Sequence, residues 1–212
     1  MRGALVNVIG TLNVFESALA EGHPSVVDTS TAAVFGPRDG HTPNPRTQYG
    51  SFKLACEGAA RAYWEDRGIA SIGFRPYIVY GPGRETGASA GPTLACRAAA
   101  LGESYTITYG GRSGLVFVDD VAAAYEAAVT STAAGAHVFN LAGTTVSNER
   151  VIDEIRHIVP KADLAVAGPP LPIAPELDPG NLAAIFPDLP QTPLREGIKQ
   201  TIEFYRRLMP HS

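Results

Sequence analysis

The sequence predicts an α/β protein, a parallel sheet with helices on its faces followed by a smaller α/β lobe. Three observations carry this. Segments of helical and of strand periodicity alternate from the N-terminus to about residue 82, the rhythm of a parallel sheet joined by crossover helices. Between them lie breaker-rich stretches such as "PRDGHTPNPRTQ" at 37–48, which read as loops. In the second half the elements change character, becoming small-residue helices, short alternating strands and a Pro-rich loop.

Residues 4–21 place Leu5, Val8, Ile9, Leu12, Val14, Phe15 and Leu19 at mostly helical spacing and end near Gly22. "PSVVDTSTAAVFG" begins with a Val-rich strand. Residues 49–66 are helical again and close at Gly68, and "IASIGFRPYIVYGPG" is a β-rich run stopped by Gly-Pro-Gly. Residues 91–101 read as a helix, "SYTITYGG" as a strand, and "GLVFVDDVAAAYEAAV" as a strand running into a helix. "AHVFNLAG" is a further strand. "SNERVIDEIRHIV" reads as a helix with Ser147 as N-cap, and "TPLREGIKQTIEFYRRL" as one with Thr192 as N-cap and Pro193 at N1. Asp119 and Asp120 read as caps of the helix beginning "VAAAY".

The chain has 212 residues, 45% hydrophobic and 18% charged, enough for one sizeable core or a core plus a lobe. Its net charge of −4 shows no basic excess of the kind nucleic-acid binding requires. The polar "TLN" and "FES" interrupt the apolar N-terminus, so neither a membrane span nor a secretory signal is expected. Cys56 and Cys96 have no CxxC or metal spacing and read as reduced thiols of a cytoplasmic protein. The five His are scattered, without a ligand pair, and no metal site is expected.

The chemistry concentrates in "TQYGSFKLACEG". Tyr49 and Lys53, at i and i+4, share a helical face. A free phenol, with a pKa of about 10, is a poor base at neutral pH, but a neighbouring cation favours the phenolate. Tyr49 is thereby a candidate general acid/base for an alcohol proton. Chance alone gives only about 0.1 such pairs in a chain of this composition.

The neighbours of this pair carry a resemblance. In order along the chain stand "VNVIGTLNV", "VVDTSTAAVFG", "YGSFK", "FRPYIVYGPG", "FVDDVAAAY" and "VFNLAG". Together they resemble the extended short-chain dehydrogenase/reductase family, the NAD-dependent epimerases and dehydratases of sugar metabolism. The resemblance implies a Rossmann-like sheet, with residues 1–82 as the C-terminal part of the cofactor domain. It implies 83–212 as mainly a substrate lobe, with 114–143 returning to the Rossmann sheet. It implies NAD or NADP as cofactor, Tyr49 as acid/base, Lys53 as its electrostatic tuner, and Thr31 as hydrogen-bond partner of the reacting oxygen. Asn7, Thr29, Pro76, Tyr77 and Ile78 would line the nicotinamide end with Tyr49 and Lys53. Thr31, Ala32 and Arg84 would meet a small-molecule substrate. A homodimer through helices 4–21 and 49–66 is implied as well, with no nucleic-acid or membrane partner.

The pattern also departs from the family. No glycine-rich strand-turn-helix that would cradle a pyrophosphate opens the chain, and the sheet is expected to have an open edge. Three explanations stand: a fragment of a longer chain, a gap covered by a second copy, or a rearranged domain. Ile78 replaces the family's Asn near the substrate phosphates, and Ser113 stands where an Arg is usual. This favours a smaller substrate, a free sugar, sugar acid or hydroxy-carbonyl compound. The competing reading is a truncated, inactive homologue serving as a dimerisation or interaction module.

Overall fold

The computed structural model describes residues 1–208. Along the chain the elements are α1 (Arg2–Ala20), β1 (Ser25–Thr29), α2 (Gln48–Arg67), β2 (Ala70–Pro76), β3 (Ile78–Tyr80), α3 (Gly91–Leu101), β4 (Tyr105–Ile107), β5 (Arg112–Phe117), α4 (Val118–Val129), β6 (Ala136–Leu141), β7 (Thr144–Ser147), α5 (Asn148–Ile158), β8 (Leu164–Val166), α6 (Leu182–Ile185) and α7 (Leu194–Arg207). Two compact units result. One comprises residues 1–77, 122–142 and 172–189, and the other 78–121, 143–171 and the stretch from 190.

The first unit is built on a parallel sheet in the order β1-β2-β6. Asp28 lies opposite Gly73, and Arg75 opposite Asn140. Among the described residues no strand pairs with the outer edge of β1, in which only Val26 is buried. Thr47 caps α2 by accepting the Gly50 N–H at 3.0 Å, and Gly68 ends it with φ 69°. Gly50 matters to the site. A Cβ there would lie 2.1 Å from the Ala33 carbonyl oxygen, so only glycine lets the start of α2 touch the turn that Thr31 begins.

Helix α1 corrects the sequence expectation about membranes. At 19 residues and a mean hydropathy of 1.3 it is long and apolar enough to cross one. Single polar side chains such as Asn13 dilute the apolar run without ending it. Here α1 is docked on α2: Phe15 is fully buried and stacks on Tyr63 at 4.8 Å, in a cluster with Val26, Ala60 and Ile69. Leu5, Val6, Ile9 and Val14 remain exposed.

The second unit holds β3-β5-β7, with β3 and β5 parallel and β7 antiparallel, and a parallel pair of β4 and β8. The run "IASIGFRPYIVYG" is therefore two strands in two sheets. Pro76, which has no N–H to donate, stands at the break. The expected 114–143 segment divides too, β6 joining the first unit's sheet and β5 the second's. Residues 172–189, assigned to the lobe by sequence, pack in the first unit.

Ser147 caps α5 by accepting the Arg150 N–H. Thr192 does not cap α7, which starts at Leu194 with Pro193 in the cap position. Instead the Thr192 N–H and hydroxyl both donate to the Asp120 carboxylate, at 2.8 and 2.7 Å. Asp120 lies within the first turn of α4 and spends its charge on Thr192 rather than on its own helix. One carboxylate satisfies two donors with charge-assisted bonds, which a hydroxyl cap cannot match. Ile198, Ile202 and Tyr205 form the buried stripe of α7, whereas Leu208, just past its end, is 64% exposed.

Candidate active site

The C-terminal end of β1 and the first turns of α2 meet in the first unit. Tyr49, near the start of α2, is 47% exposed. Lys53, one turn on, donates from Nζ to the Thr29 carbonyl oxygen at 2.7 Å. That bond fixes the ammonium on the Tyr49 face of the helix while leaving it further donors. The Thr29 hydroxyl is 2.6 Å from the Tyr125 phenol, which ties the strand end to α4. Burial pushes the Tyr125 phenol up, against the lowering by its Thr29 hydrogen bond, and the charge of Asp28 adds to the rise. Thr31 begins a short 3-10 turn, its Oγ1 accepting the Ala33 N–H at 3.2 Å. Its own O–H is then available to donate. Tyr49, Lys53, Thr29 and Thr31, named from sequence, are thus gathered at one strand end.

Other named residues sit differently. Ala32 is 1% exposed, so its side chain belongs to the core and offers a substrate no surface. Tyr77 is buried, and its hydroxyl donates to the Ala174 carbonyl at 2.5 Å, pinning the 172–189 segment. Ile78 is 2% exposed, and Pro76 is partly buried at the end of β2. Asn7 lies in a π-helical turn of α1, Leu5–Ile9, and its amide donates to the Gly3 carbonyl at 2.9 Å. Its backbone oxygen accepts the Cys56 thiol at 3.3 Å. Arg84, in the second unit, is held by its own loop through the Thr86 carbonyl and the Ser89 hydroxyl. The shared cause is that strand ends and loops satisfy their own polar groups first.

The sequence reading missed the structure beneath the pair. Glu57, one turn past Lys53, accepts Arg75 bidentately at 2.7 and 2.6 Å and also accepts the Ser30 hydroxyl. Arg75 reaches Asn140 at 3.4 Å and lies 5.1 Å from the centre of the Phe35 ring. This ion pair thereby joins α2, β2, β6 and Ser30, the residue that follows β1. The 49-53-57 spacing was the available signal, since it places all three on one face of α2.

Asp28, on β1, was also missed. Burial and the nearby Glu57 charge push its carboxyl up to about 6, against the pull of Lys53. A carboxyl raised above its ordinary value stabilises the fold while protonated. That contribution is complete below about pH 4 and is lost as pH rises through about 6. Asp28→Asn is therefore expected to raise stability at pH 8 by about 1–3 kcal/mol and to change it little at pH 4. Urea unfolding at both pH values checks this, and an equal effect at both would contradict it.

A parallel sheet whose strand end lies beside a helix bearing Tyr and Lys one turn apart is the arrangement expected of the short-chain dehydrogenase/reductase class. The chain belongs to the NAD dependent epimerase/dehydratase family, whose sequence profile matches residues 3–142. A UDP-glucose 4-epimerase of Mycolicibacterium smegmatis is 31% identical over 217 residues, covering 96% of this chain and 69% of that protein. The crystal structure of a Thermus thermophilus UDP-glucose 4-epimerase, a complex with NAD, superposes with a TM-score of 0.83 at 25% identity. The superposition covers 96% of this chain and 71% of that one. A partial-consensus L-threonine 3-dehydrogenase shares the fold at TM-score 0.86 and 20% identity, over 96% of this chain and 73% of its own.

Proposed function

We propose that this chain carries the acid/base side of an NAD-dependent epimerase/dehydratase-type reaction on a sugar or small hydroxy-carbonyl substrate. The observation that carries it is the 2.7 Å bond from Lys53 to Thr29, which holds a cation on the Tyr49 face at the strand end that leads into Thr31. Thr31 donates to the substrate oxygen and orients it. Tyr49 takes the hydroxyl proton as hydride leaves the carbon, and Lys53 stabilises the phenolate that does so. The cofactor, when bound, supplies the hydride acceptor. Lys53 and the Thr29 strand end fit the nicotinamide ribose. Among the described residues no glycine-rich strand-turn-helix fits the pyrophosphate.

A second reading is favoured by the exposed apolar residues of α1: a homodimer in which α1 and α2 of two copies pack as a four-helix bundle. One purified sample of the 212-residue chain tests both readings. Calorimetric titration with NAD is expected to give a dissociation constant weaker than micromolar, and turnover of a free sugar or sugar acid is expected at millimolar NAD. Light scattering is expected to give twice the chain mass, falling to one in Ile9→Glu/Val14→Glu. A dimer with no NAD-dependent turnover of any sugar tried would favour the interaction module. A monomeric parent would remove the dimer.

A further inference from the structure

The loop that leads from the Thr31 turn to α2 encloses a cleft of about 410 Å³, lined by Gly36, Arg38, Asp39, Thr42, Asn44 and Arg46. The loop is closed on itself. Phe35 and Pro43 form a bridge, and the Asn44 N–H donates to the Val34 carbonyl at 2.8 Å. Arg46 lays its aliphatic stem against Gly36, where a Cβ would be 2.7 Å from the Asn44 carbonyl oxygen and would push the two limbs apart. No hydrogen bond or ion pair among the described residues engages the guanidinium of Arg38 or Arg46. The one acid in the lining does not neutralise them. Asp39 spends its oxygens on the His41 and Thr42 N–H groups, at 2.8 and 3.2 Å, and on the Thr42 hydroxyl, and those bonds, the His41 one foremost, hold its carboxyl below the usual range.

We propose that this cleft binds a small phosphate- or pyrophosphate-bearing molecule between Arg38 and Arg46. Each guanidinium is a planar fork suited to two oxygens of one anion. A carboxylate has only two oxygens and fills one fork. A phosphate or pyrophosphate presents enough oxygens, and enough charge, for both. Asn44, whose amide is a neutral donor, also belongs to the lining. The volume lies within the usual range for small-molecule sites, roughly 300–1,000 Å³. Arg84, expected from sequence to meet the substrate, is by contrast engaged by Thr86 and Ser89. The site uses neither Tyr49 nor Lys53 and stands whether or not they are an acid/base pair.

The test is titration of inorganic pyrophosphate into the 212-residue protein, followed by calorimetry and phosphorus NMR at constant ionic strength. Saturable binding is expected, weakened about tenfold or more in Arg38→Gln/Arg46→Gln and less in Arg38→Lys/Arg46→Lys, which keeps the charge but loses the fork. Gly36→Ala, which crowds the cleft without removing a charge, is also expected to weaken it. Tyr49→Phe is expected to bind as the parent does, which separates this result from the catalytic reading. UDP tighter than pyrophosphate identifies a nucleotide ligand, and equal affinity a free phosphate compound. No saturable binding, or equal affinity in the parent and the double Gln variant, overturns the proposal.

Discussion

Tyr49→Phe is expected to lower turnover by about 10²–10⁴-fold, the usual contribution of a positioned acid/base. The fold should stay within about 1 kcal/mol of the parent, since the residue is 47% exposed and the ring is retained. The substitution removes only the phenolic oxygen. Lys53 keeps its bond to Thr29, so the strand end and the helix should not move. The measurement is initial rate with saturating NAD against pH, beside a thermal melt. The parent rate should fall on the acid side as the phenolate is lost, and the variant's residual rate should not follow that limb. Turnover within threefold of the parent, with an unchanged melt, would sink the catalytic role of Tyr49. Lys53→Met should lower the rate too and shift the acid limb upward, because the phenolate loses its cation.

The second large effect is expected on stability. The Glu57 side chain is 3% exposed and that of Arg75 15%. Glu57→Ala leaves the guanidinium buried without its counter-charge and the Ser30 hydroxyl without its acceptor. Breaking one partner of such a pair costs about 3–5 kcal/mol. For a chain of this size that lowers the melting temperature by roughly 6–20 °C. Replacing both partners with apolar residues, Glu57→Leu/Arg75→Met, should recover most of the loss, since no unpaired charge is then buried. Guanidinium chloride unfolding of the three proteins measures this. A Glu57→Ala cost below 1 kcal/mol would show that water solvates Arg75. Glu57 lies one turn past Lys53 on α2, and its Ser30 partner directly follows Thr29, so Glu57→Ala should also loosen the Lys53 to Thr29 contact and reduce turnover.

Much of the site was legible because its key spacing is local. Tyr49, Lys53 and Glu57 repeat at four, so any helix over 48–67 must put them on one face, whatever surrounds it. Thr47 and Gly68 mark that helix's ends through capping chemistry that also involves only near neighbours. The alternation of strands and helices through residue 80 follows from periodicity in the same way. Caps were less secure where a distant group competed. Thr192 has the right residue type for an N-cap, but the Asp120 carboxylate, 72 positions earlier, takes both its donors.

The sequence by itself therefore determined the family, the helix that carries Tyr49 and Lys53, and the hydroxyls at the end of β1. Only the tertiary structure decided what each side chain is bonded to. Lys53 finds Thr29 across 24 residues, Glu57 finds Arg75 across 18, and Thr29 finds Tyr125 across 96. It also showed that Ala32 and Ile78 are core and that Tyr77 and Arg84 are already engaged. The physical reason is range. Helix periodicity and capping act within a few residues and can be read from the chain. Burial, strand register and charge pairing depend on which distant segments pack together, and that is fixed only when the sheet forms.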